Sequence, residues 1–318
     1  MSALSGAVLL GAVLAETRLR LPNALHPVAW LGSLAGSFIA RAPLDPPALA
    51  FALGAWLAVA LPCAVYVLTA WLVQATATWP LAQAAVQGLA LFSSIALFGL
   101  LDAARTVQRA LDAGALDAAR SKLSWLCSRD PSALDASGIA NGAIESLAEN
   151  LSDAVVAPLC ALIVFGVEGA LAYRAINTLD AMIGYRGKYE WLGKPAARLD
   201  DLANLIPARL TALLLWLAAI AMPASARVSL ARGLRTWRSD RSSTPSPNGG
   251  HPMAMAAGLL GLRLDKPGVY VLGRELAAPV TGDIARAARL VRRAGLLSFA
   301  CALACVARIG LRGLYGAS

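Results

Sequence analysis

Charged residues are scarce in this chain. Asp, Glu, Lys and Arg make up 15% of its 318 residues, whereas 58% of the residues are apolar, and the mean hydropathy is +0.61. Soluble domains carry about 25% charged residues. The charged residues of this chain are therefore too few to cover the surface of an ordinary soluble enzyme. Disorder is excluded, because it requires low hydrophobicity and high net charge. The composition predicts a polytopic membrane protein whose solvent-facing part carries most of the charge.

Cysteine and histidine are also rare, and their spacing matches no metal site. The five cysteines form no Cys-x-x-Cys pair, which zinc sites and redox pairs usually contain, and we interpret them as packing residues. Phosphate loops, dinucleotide fingerprints and the common hydrolase and metalloprotease motifs are absent as well. If a nucleotide binds, Mg²⁺ on carboxylates and scattered Lys and Arg side chains must hold its phosphates.

Acidic residues are outnumbered by basic ones. The chain has 28 Lys and Arg and 19 Asp and Glu, which gives a net charge of +9. In a soluble protein this balance would suggest nucleic acid as a partner. In a membrane protein, Lys and Arg instead hold cytoplasmic loops against anionic lipid headgroups. We therefore expect these basic residues to contact a lipid bilayer, and we expect no nucleic acid as a partner.

Long apolar runs predict the membrane segments, since a spanning helix needs about 20 mostly apolar residues. Residues 48–73 and 81–101 qualify and are flanked by arginines. By the positive-inside rule they form a hairpin whose tip faces away from the cytoplasm. Residues 205–222 and 296–309 are further candidates. The pattern predicts an all-α, polytopic integral membrane protein with four to six membrane segments.

The apolar run 155–165 ends at a charge between glycines, Gly166-Val167-Glu168-Gly169. A charge is costly at the centre of a membrane. One interpretation is a re-entrant hairpin, in which the helix breaks tightly at Gly166–Gly169 and a second helix returns. The other is a single span that places Glu168 at the interface. The sequence does not decide between the two.

Three polar segments separate the apolar runs: residues 102–153, 174–204 and 227–293. Helical spacing in the first of them predicts a helix pair that is broken near Gly114. We expect the three segments to form a helical polar portion at the cytoplasmic face. In this interpretation residues 1–318 form a single membrane domain.

The first candidate constellation lies on one predicted helix. Asn141, Glu145 and Glu149 are spaced by four residues, so they line one face, and Asp153 continues the row. Acidic side chains four residues apart repel one another, more strongly when they are desolvated. A helix that carries such a row into a membrane usually needs a cation to offset the repulsion. The alternative is a solvated face just above the headgroups.

The second constellation alternates basic, amide and acidic residues: Arg174, Asn177, Asp180, Lys188, Arg198, Asp200 and Asp201. The first three are spaced by three residues and share a helix face. Adjacent residues on a helix point to different sides, so at most one of Asp200 and Asp201 can share a site with Asp180. The alternative for Arg198 and Asp201 is a surface ion pair.

The third constellation is a proline- and glycine-bearing loop, Ser246-Pro247-Asn248-Gly249-Gly250. A rigid turn of this kind can present backbone N–H groups to an anion. The two histidines, His26 and His251, each precede a proline, which places them on extended stretches outside helices. For each of them a structural hydrogen bond is the alternative to a role in a site.

Taken together, these motifs resemble the CobD/CbiB family of cobalamin biosynthesis, the adenosylcobinamide-phosphate synthases. The matching segments follow in order along most of the chain: His26-Pro27-Val28 with Gly32, Arg129-Asp130, residues 138–140, 143–146, 149–150 and 153, residues 172–180, 197–201 and 207–211, and Ser246-Pro247-Asn248. Members usually carry an early Asp and a Gly-Asp-Pro, for which Glu16 is the nearest substitute here. Arg186-Gly187-Lys188 replaces another polar run of the family, and the position of His251 is often aromatic.

The resemblance implies a multi-pass enzyme of the cell inner membrane with its polar face in the cytoplasm. Such an enzyme joins the free propionate carboxyl of adenosylcobyric acid to the amine of (R)-1-amino-2-propanol or of its phosphate, giving adenosylcobinamide or its phosphate. A carboxylate does not accept an amine spontaneously at neutral pH. Activation by ATP through an acyl phosphate is therefore expected, with Mg²⁺. A homo-oligomer and an association with other enzymes of the pathway are compatible with this expectation.

The resemblance also suggests roles for the candidate residues. We expect catalytic roles for Glu145, Glu149, Asp180, Asp201 and His26, with the first three around Mg²⁺ and the nucleotide phosphates, and with His26 or Asp201 as acceptor of the ammonium proton. We expect the following to bind substrate or phosphate: Asn141, Arg174, Asn177, Lys188, Arg198, Ser246 and Asn248.

A second class of function uses some of the same features. Secondary transporters and permeases also contain broken helices and buried acids, so transport of a corrinoid or another anionic solute is the alternative. Inverted internal repeats would favour transport, and no sequence repeat is evident.

Overall fold

The computed structural model describes residues 3–19, 21–127, 130–185, 187–223 and 228–315. These residues form helices almost throughout, which confirms the all-α prediction. The helices are α1 (Ala3–Arg18), α2 (Pro27–Ile39), α3 (Pro47–Ala75), α4 (Pro80–Ser94), α5 (Leu97–Asp112), α6 (Leu116–Leu123), α7 (Ala136–Leu151), α8 (Ala157–Ile183), α9 (Glu190–Ala203), α10 (Leu205–Ile220), α11 (Leu230–Asp240), α12 (Gly250–Leu260) and α13 (Thr281–Tyr315). A 3₁₀-helix at Asn23–Leu25 and a π-helix at Ser152–Val156 complete the helical elements.

One short antiparallel hairpin is the only sheet in the part of the chain that the structure describes. Strand β1 (Leu264–Lys266) pairs with β2 (Tyr270–Leu272), and Leu264 lies opposite Leu272. Strands of three residues are too short for the alternation of polar and apolar residues that reveals a strand in a sequence. The hairpin was therefore not predicted.

Four helical stretches are long and apolar enough to cross a membrane: Pro47–Ala75, Pro80–Asp112, Ala136–Ile183 and Thr281–Ile309. A fifth is added if Glu190–Ala203 and Leu205–Ile220 are taken as one broken span, so the number lies within the predicted four to six. The second stretch is interrupted at Ile95, whose backbone is extended (φ −114°, ψ 138°). Hydropathy predicted one continuous helix there.

Helix α8 breaks at the glycines where one of the two interpretations of the sequence placed a break. Gly166 has a φ of 79° and a ψ of −170°, and positive φ is readily accessible only to glycine. A Cβ atom on Gly169 would lie 3.0 Å from the carbonyl oxygen of Ala161, although residues eight apart in a straight helix are separated by about 12 Å. The chain therefore folds back at Gly166. This geometry favours the hairpin interpretation over a straight span.

The chain divides into two compact units, each assembled from separated segments. Unit 1 comprises Met1–Ala96, Ala157–Asn204 and Ala300–Ser318, and unit 2 comprises Leu97–Val156 and Leu205–Phe299. The single-domain interpretation stays a prediction. Helices α2, α3, α8 and α9 enclose a core in unit 1 that consists of Ala35, Ile39, Ala50, Leu57, Ala58, Leu61, Val65, Ala175, Leu179, Ile183, Leu192 and Ala196.

Two glycines allow α9 to approach its neighbours closely within unit 1. A Cβ atom on Gly54 of α3 would overlap the backbone carbonyl of Leu192, and a Cβ atom on Gly193 of α9 would overlap that of Ile183 at the end of α8. No side chain fits at either point. This close packing fixes the polar face of α9 against α8.

Unit 2 is built around α12. Every residue from Gly250 to Leu260 is buried, and α12 contacts α7, α10 and α11. Gly261 ends the helix with a left-handed backbone (φ 73°), the usual conformation of a helix C-terminal glycine. Gly114 (φ 69°) separates α5 from α6, as the sequence predicts.

Candidate functional site

Helix α7 carries the first polar row, in unit 2. Asp135 caps the helix, and its side chain accepts a hydrogen bond from the Gly138 N–H (2.7 Å). Asn141, Glu145 and Glu149 occupy three successive turns of one face, as predicted. Asn141 and Glu145 are each 3% exposed. The row is thus buried rather than solvated, so the alternative of a solvated face does not hold for these two residues.

The side chain of Asn141 links α7 to the β-hairpin. Its Nδ2 donates to the carbonyl of Asp265 (2.6 Å), and its Oδ1 accepts from the N–H of the same residue (3.1 Å). Both ends of the amide therefore bind protein backbone. This contact explains the burial of Asn141 by a structural role, and its role in substrate binding stays a prediction.

A π-helix follows the acidic row of α7 directly. It spans Ser152–Val156 and contains Asp153. The Ser152 hydroxyl is buried, with no hydrogen-bond partner among the described residues. Single π-turns of this kind are frequent at functional sites.

The loop between α11 and α12 packs beside Glu149. A Cβ atom on Gly249 would lie 2.7 Å from Glu149 Oε1, so the backbone of the loop lies close to the carboxylate. Asn248 is buried, and its Oδ1 accepts a long hydrogen bond from Arg209 (3.5 Å). The Ser246 hydroxyl accepts from the Asn248 N–H (3.2 Å). The structure thus brings the first and third constellations together within unit 2.

His251 lies inside the first turn of α12 and makes a structural hydrogen bond there. The prediction of an extended stretch outside helices is therefore wrong for this residue, because a proline fits in the first turn of a helix. Its Nδ1 accepts from Trp237 Nε1 (3.2 Å), and the guanidinium of Arg241 lies 4.8 Å from the centre of the Trp237 ring. Burial, together with the charges of Arg209 and Arg241, lowers the pKa of His251 to about 4. The imidazole is therefore neutral at pH 7.

The lowered pKa predicts an acid-sensitive contact. Between about pH 6.5 and pH 4 the unfolded chain binds a proton at His251 and the folded chain does not, so stability at this residue is lost as the pH falls through that range. The melting temperature in detergent should fall between pH 7 and pH 4.5. His251→Gln, which can still accept from Trp237, should show a shallower fall. An equally steep fall in the variant would contradict this assignment.

Unit 1 holds a second polar network, between α8 and α9. The Arg174 guanidinium donates to Asn177 Oδ1 (3.0 Å), and Asn177 Nδ2 donates to Asp200 Oδ1 (3.4 Å). Asn204 Nδ2 donates to Asp200 Oδ2 (3.0 Å), and the Tyr173 hydroxyl donates to Asn204 Oδ1 (2.9 Å). The network thus joins a basic group to a carboxylate through two amides.

Asp200 is the carboxylate that receives the two amide groups of this network. Asp201 accepts from Arg198 (3.4 Å), whose side chain is 74% exposed. This is the surface ion pair that the sequence left as an alternative. The catalytic role expected for Asp201 stays a prediction. Asn204 was missed, although its spacing of four residues from Asp200 places both on one helix face.

His26 and Arg174 are electrostatically coupled in unit 1. Burial, and then the charge of Arg174, lower the pKa of His26. His26 precedes α2, and its side chain makes no capping hydrogen bond. A neutral imidazole at pH 7 can accept a proton. Glu16, the nearest substitute for the family's early acidic residue, is buried on α1.

Asp180 and Lys188 lie near the end of α8. The Asp180 carboxylate packs against Gly184, where a Cβ atom would overlap it. Lys188 is exposed, and its ammonium lies 5.1 Å from the centre of the Tyr189 ring. Arg129 and Arg186 lie outside the described residues, as does residue 227, with which the third polar segment begins.

The predicted set of three carboxylates spans both units. Glu145 and Glu149 belong to unit 2, and Asp180 belongs to unit 1. Within the residues that the structure describes, no group of three His, Cys, Asp or Glu side chains is arranged to hold a metal ion. Mg²⁺ often uses only one or two carboxylates together with phosphates and water, so the two glutamates of α7 fit it. The joint role of all three stays a prediction.

These features define a multi-span helical membrane protein with a buried polar cluster in each of its two units. Comparison with known families makes the assignment specific. The family model described as CobD/Cbib protein matches residues 4–297, so the chain belongs to the CobD/CbiB family of cobalamin biosynthesis proteins.

Individual relatives agree with the family assignment. A "Cobalamin biosynthesis protein CobD" of Chromobacterium violaceum is 38% identical over 312 residues, which cover 94% of this chain and 96% of the relative. The protein of the same name from Dehalococcoides mccartyi is 37% identical over 280 residues, 87% of this chain and 89% of the relative. A "Probable cobalamin biosynthesis protein CobD" of Thermococcus kodakarensis is 39% identical over 272 residues, which cover 85% of this chain and 84% of the relative. No solved structure matches the chain.

Proposed function

We propose that this protein catalyses formation of an amide bond in cobalamin biosynthesis. The reaction joins the free propionate carboxyl of adenosylcobyric acid to the amine of (R)-1-amino-2-propanol or its phosphate. The observation that carries the proposal is the pair of carboxylates on α7, with Glu145 buried and Glu149 half-buried, beside the Ser246–Asn248 loop. Both segments match the motifs of the family resemblance. A buried carboxylate with a second one a turn away is costly unless a cation or a proton offsets the charge.

The carboxyl group of the corrinoid must be activated before an amine can attack it. Glu145 and Glu149 are the residues that would hold Mg²⁺, because hard oxygen ligands suit this ion. Bound ATP with Mg²⁺ supplies the phosphoryl group for an acyl phosphate. Asn248, placed by Arg209 and Ser246, would donate its amide N–H groups to oxygens of the substrate or of a phosphate.

The network of unit 1 offers the groups that handle anionic charge and protons. Arg174 would neutralise an anionic oxygen, and Asn177 orients its guanidinium. His26, which is neutral at pH 7, would accept a proton from the attacking ammonium. On the family resemblance, Lys188 and Arg198 would also neutralise phosphate charge, and Asp201 is the alternative acceptor of the ammonium proton. Asp180 keeps its predicted role at Mg²⁺. Placement in the cell inner membrane, with the polar portion in the cytoplasm, belongs to the same proposal.

A reconstitution experiment separates the enzyme from a transporter. Purified protein in detergent should convert adenosylcobyric acid, the amine and ATP into adenosylcobinamide or its phosphate, as measured by mass spectrometry. Detergent removes any gradient, so a transporter would leave the substrates unchanged. Uptake of corrinoid by proteoliposomes without conversion would refute the proposal.

A further inference from the structure

Helix α13 exposes three arginines on one face within unit 2. Arg289, Arg292 and Arg293 are all exposed, and their spacing of three and four residues places them on one side of the helix. The other side carries Leu290 and Val291, which are buried. Like charges at this spacing repel one another. The three side chains form an arginine triad that concentrates positive charge on the surface of the protein.

No carboxylate of the described residues neutralises the arginine triad. Asp283 is the one acidic residue of α13, and it forms an ion pair with Arg286. Within the ranges that the structure describes, none of the ion pairs includes a member of the triad. An anion from outside the chain would therefore relieve the repulsion among the three guanidinium groups.

Helix α10 ends beside the triad. The Arg293 guanidinium donates a hydrogen bond to the carbonyl of Ala221, the residue that follows α10 directly. The exposed apolar residues of α10 are spaced by three and four, so they form one stripe: Ile206, Leu210, Leu213, Leu217 and Ile220. A helix of 16 residues is about 24 Å long, which is most of the thickness of the hydrocarbon core of a bilayer. The stripe is therefore suited to contact lipid chains, and Arg293 lies where it ends.

Helix α13 becomes apolar at the same point. Residues 294–307 carry no charge, and Leu296, one turn after the triad and on the same face, is 41% exposed. Trp216, one turn before the end of α10, donates from Nε1 to the carbonyl of Leu230 (3.4 Å), and tryptophan is enriched where a membrane meets water. The apolar parts of both helices thus end at one level. In a bilayer this level is that of the lipid headgroups.

We propose that the arginine triad binds the phosphate headgroup of an anionic glycerophospholipid whose acyl chains lie against Leu296. Guanidinium groups pair with phosphate oxygens through two parallel N–H bonds, and basic residues next to a membrane span attract anionic lipids. A zwitterionic lipid carries an ammonium group of its own, which the triad repels. A soluble phosphate lacks the acyl chains that the apolar surface contacts. The site lies in unit 2 and does not depend on the proposed function.

Native mass spectrometry of the purified full-length protein in detergent tests the site. The probes are dioleoylphosphatidylglycerol, dioleoylphosphatidylcholine and glycerol 3-phosphate, which share the phosphate and differ in net charge or in acyl chains. A titration gives the number of bound molecules and the dissociation constant of each. The wild type should bind the first phosphatidylglycerol at least about tenfold more tightly than phosphatidylcholine, because three basic residues contribute. It should not retain glycerol 3-phosphate.

The double variant Arg289→Gln with Arg292→Gln removes two charges and keeps the contact of Arg293 with Ala221. Its affinity for the first phosphatidylglycerol should fall about 25-fold, which is about fivefold for each arginine. Its melting temperature without lipid should equal that of the wild type or exceed it, because repulsion is removed. Arg289→Lys with Arg292→Lys keeps the charge and should restore most of the affinity.

A matched control removes the same charge from another surface of unit 2. Arg235 and Arg238 are exposed on α11, and the double variant Arg235→Gln with Arg238→Gln should bind phosphatidylglycerol like the wild type. An equal loss in this control would show that total charge attracts the lipid, and it would overturn the site.

Three further results would overturn the lipid site. The first is equal affinity of the wild type for phosphatidylglycerol and phosphatidylcholine. The second is wild-type binding of phosphatidylglycerol by the variant Arg289→Gln with Arg292→Gln. The third is retention of glycerol 3-phosphate as tightly as the lipid, which would assign the triad to a soluble phosphate instead.

Discussion

Glu145→Gln should abolish synthesis of adenosylcobinamide or its phosphate, with a fall in rate of at least about 100-fold. Losses of about 10²–10³ are typical when one preorganised electrostatic group is removed from an active site. Glu145 is 3% exposed on the inner face of α7, and glutamine reproduces its shape without its charge. The rate of product formation by purified protein, measured by mass spectrometry at saturating substrates, checks this expectation.

The same substitution should leave the protein folded. A buried amide is less costly than a buried carboxylate, so the melting temperature should stay the same or rise. Glu275→Gln is a matched control in unit 2, because Glu275 is exposed in the loop after β2, and it should retain wild-type activity. Wild-type synthesis by Glu145→Gln would remove the α7 row from the proposed mechanism.

Gly193→Ala should destabilise the protein by several kcal/mol. The added methyl group would overlap the backbone carbonyl of Ile183, and a backbone atom at the end of a packed helix cannot move aside as a flexible side chain can. Overpacking in a tight core costs about 1–3 kcal/mol even where side chains can adjust. Thermal unfolding in detergent, followed by circular dichroism, should show a clear drop in melting temperature.

Gly88→Ala supplies the control for the intrinsic helix preference of alanine. Gly88 lies inside α4 with no atom within 4 Å of the added methyl group, so the substitution should be neutral or stabilising by up to about 1 kcal/mol. Activity should fall in Gly193→Ala as well, because α9 carries Asp200. Equal melting temperatures for the two variants would contradict the close packing of α9 on α8.

Much of the fold could be predicted because apolar periodicity and glycine are local signals. Hydropathy predicted the helical class and the range of membrane segments, and Gly114 marked a break that the structure contains. The glycines at 166 and 169 made a second break one of two interpretations. The break at Ile95 was missed, because an extended residue inside an apolar run carries no glycine or proline signal. The π-helix at Ser152–Val156 depends on packing within unit 2, and the spacing of residues does not reveal it.

The candidate site was predictable where residues share one helix and unpredictable where distant segments meet. The row of Asn141, Glu145 and Glu149 followed from spacing alone. The partner of Asn141 did not, since Asp265 is 124 residues further along the chain. The choice between Asp200 and Asp201 required the rotational setting of α9, which the close approach at Gly193 determines.

Isotope transfer tests the central claim most directly, namely that this protein activates a carboxylate and passes it to an amine. Adenosylcobyric acid labelled with ¹⁸O in both oxygens of its free carboxylate is incubated with the purified protein, ATP, Mg²⁺ and the amine. Attack of the amine on an acyl phosphate breaks the carbon–oxygen bond to the phosphate. Mass spectrometry should therefore find one ¹⁸O in the amide product and the other in inorganic phosphate. Recovery of unchanged corrinoid, or of product without label in the phosphate, would contradict the account.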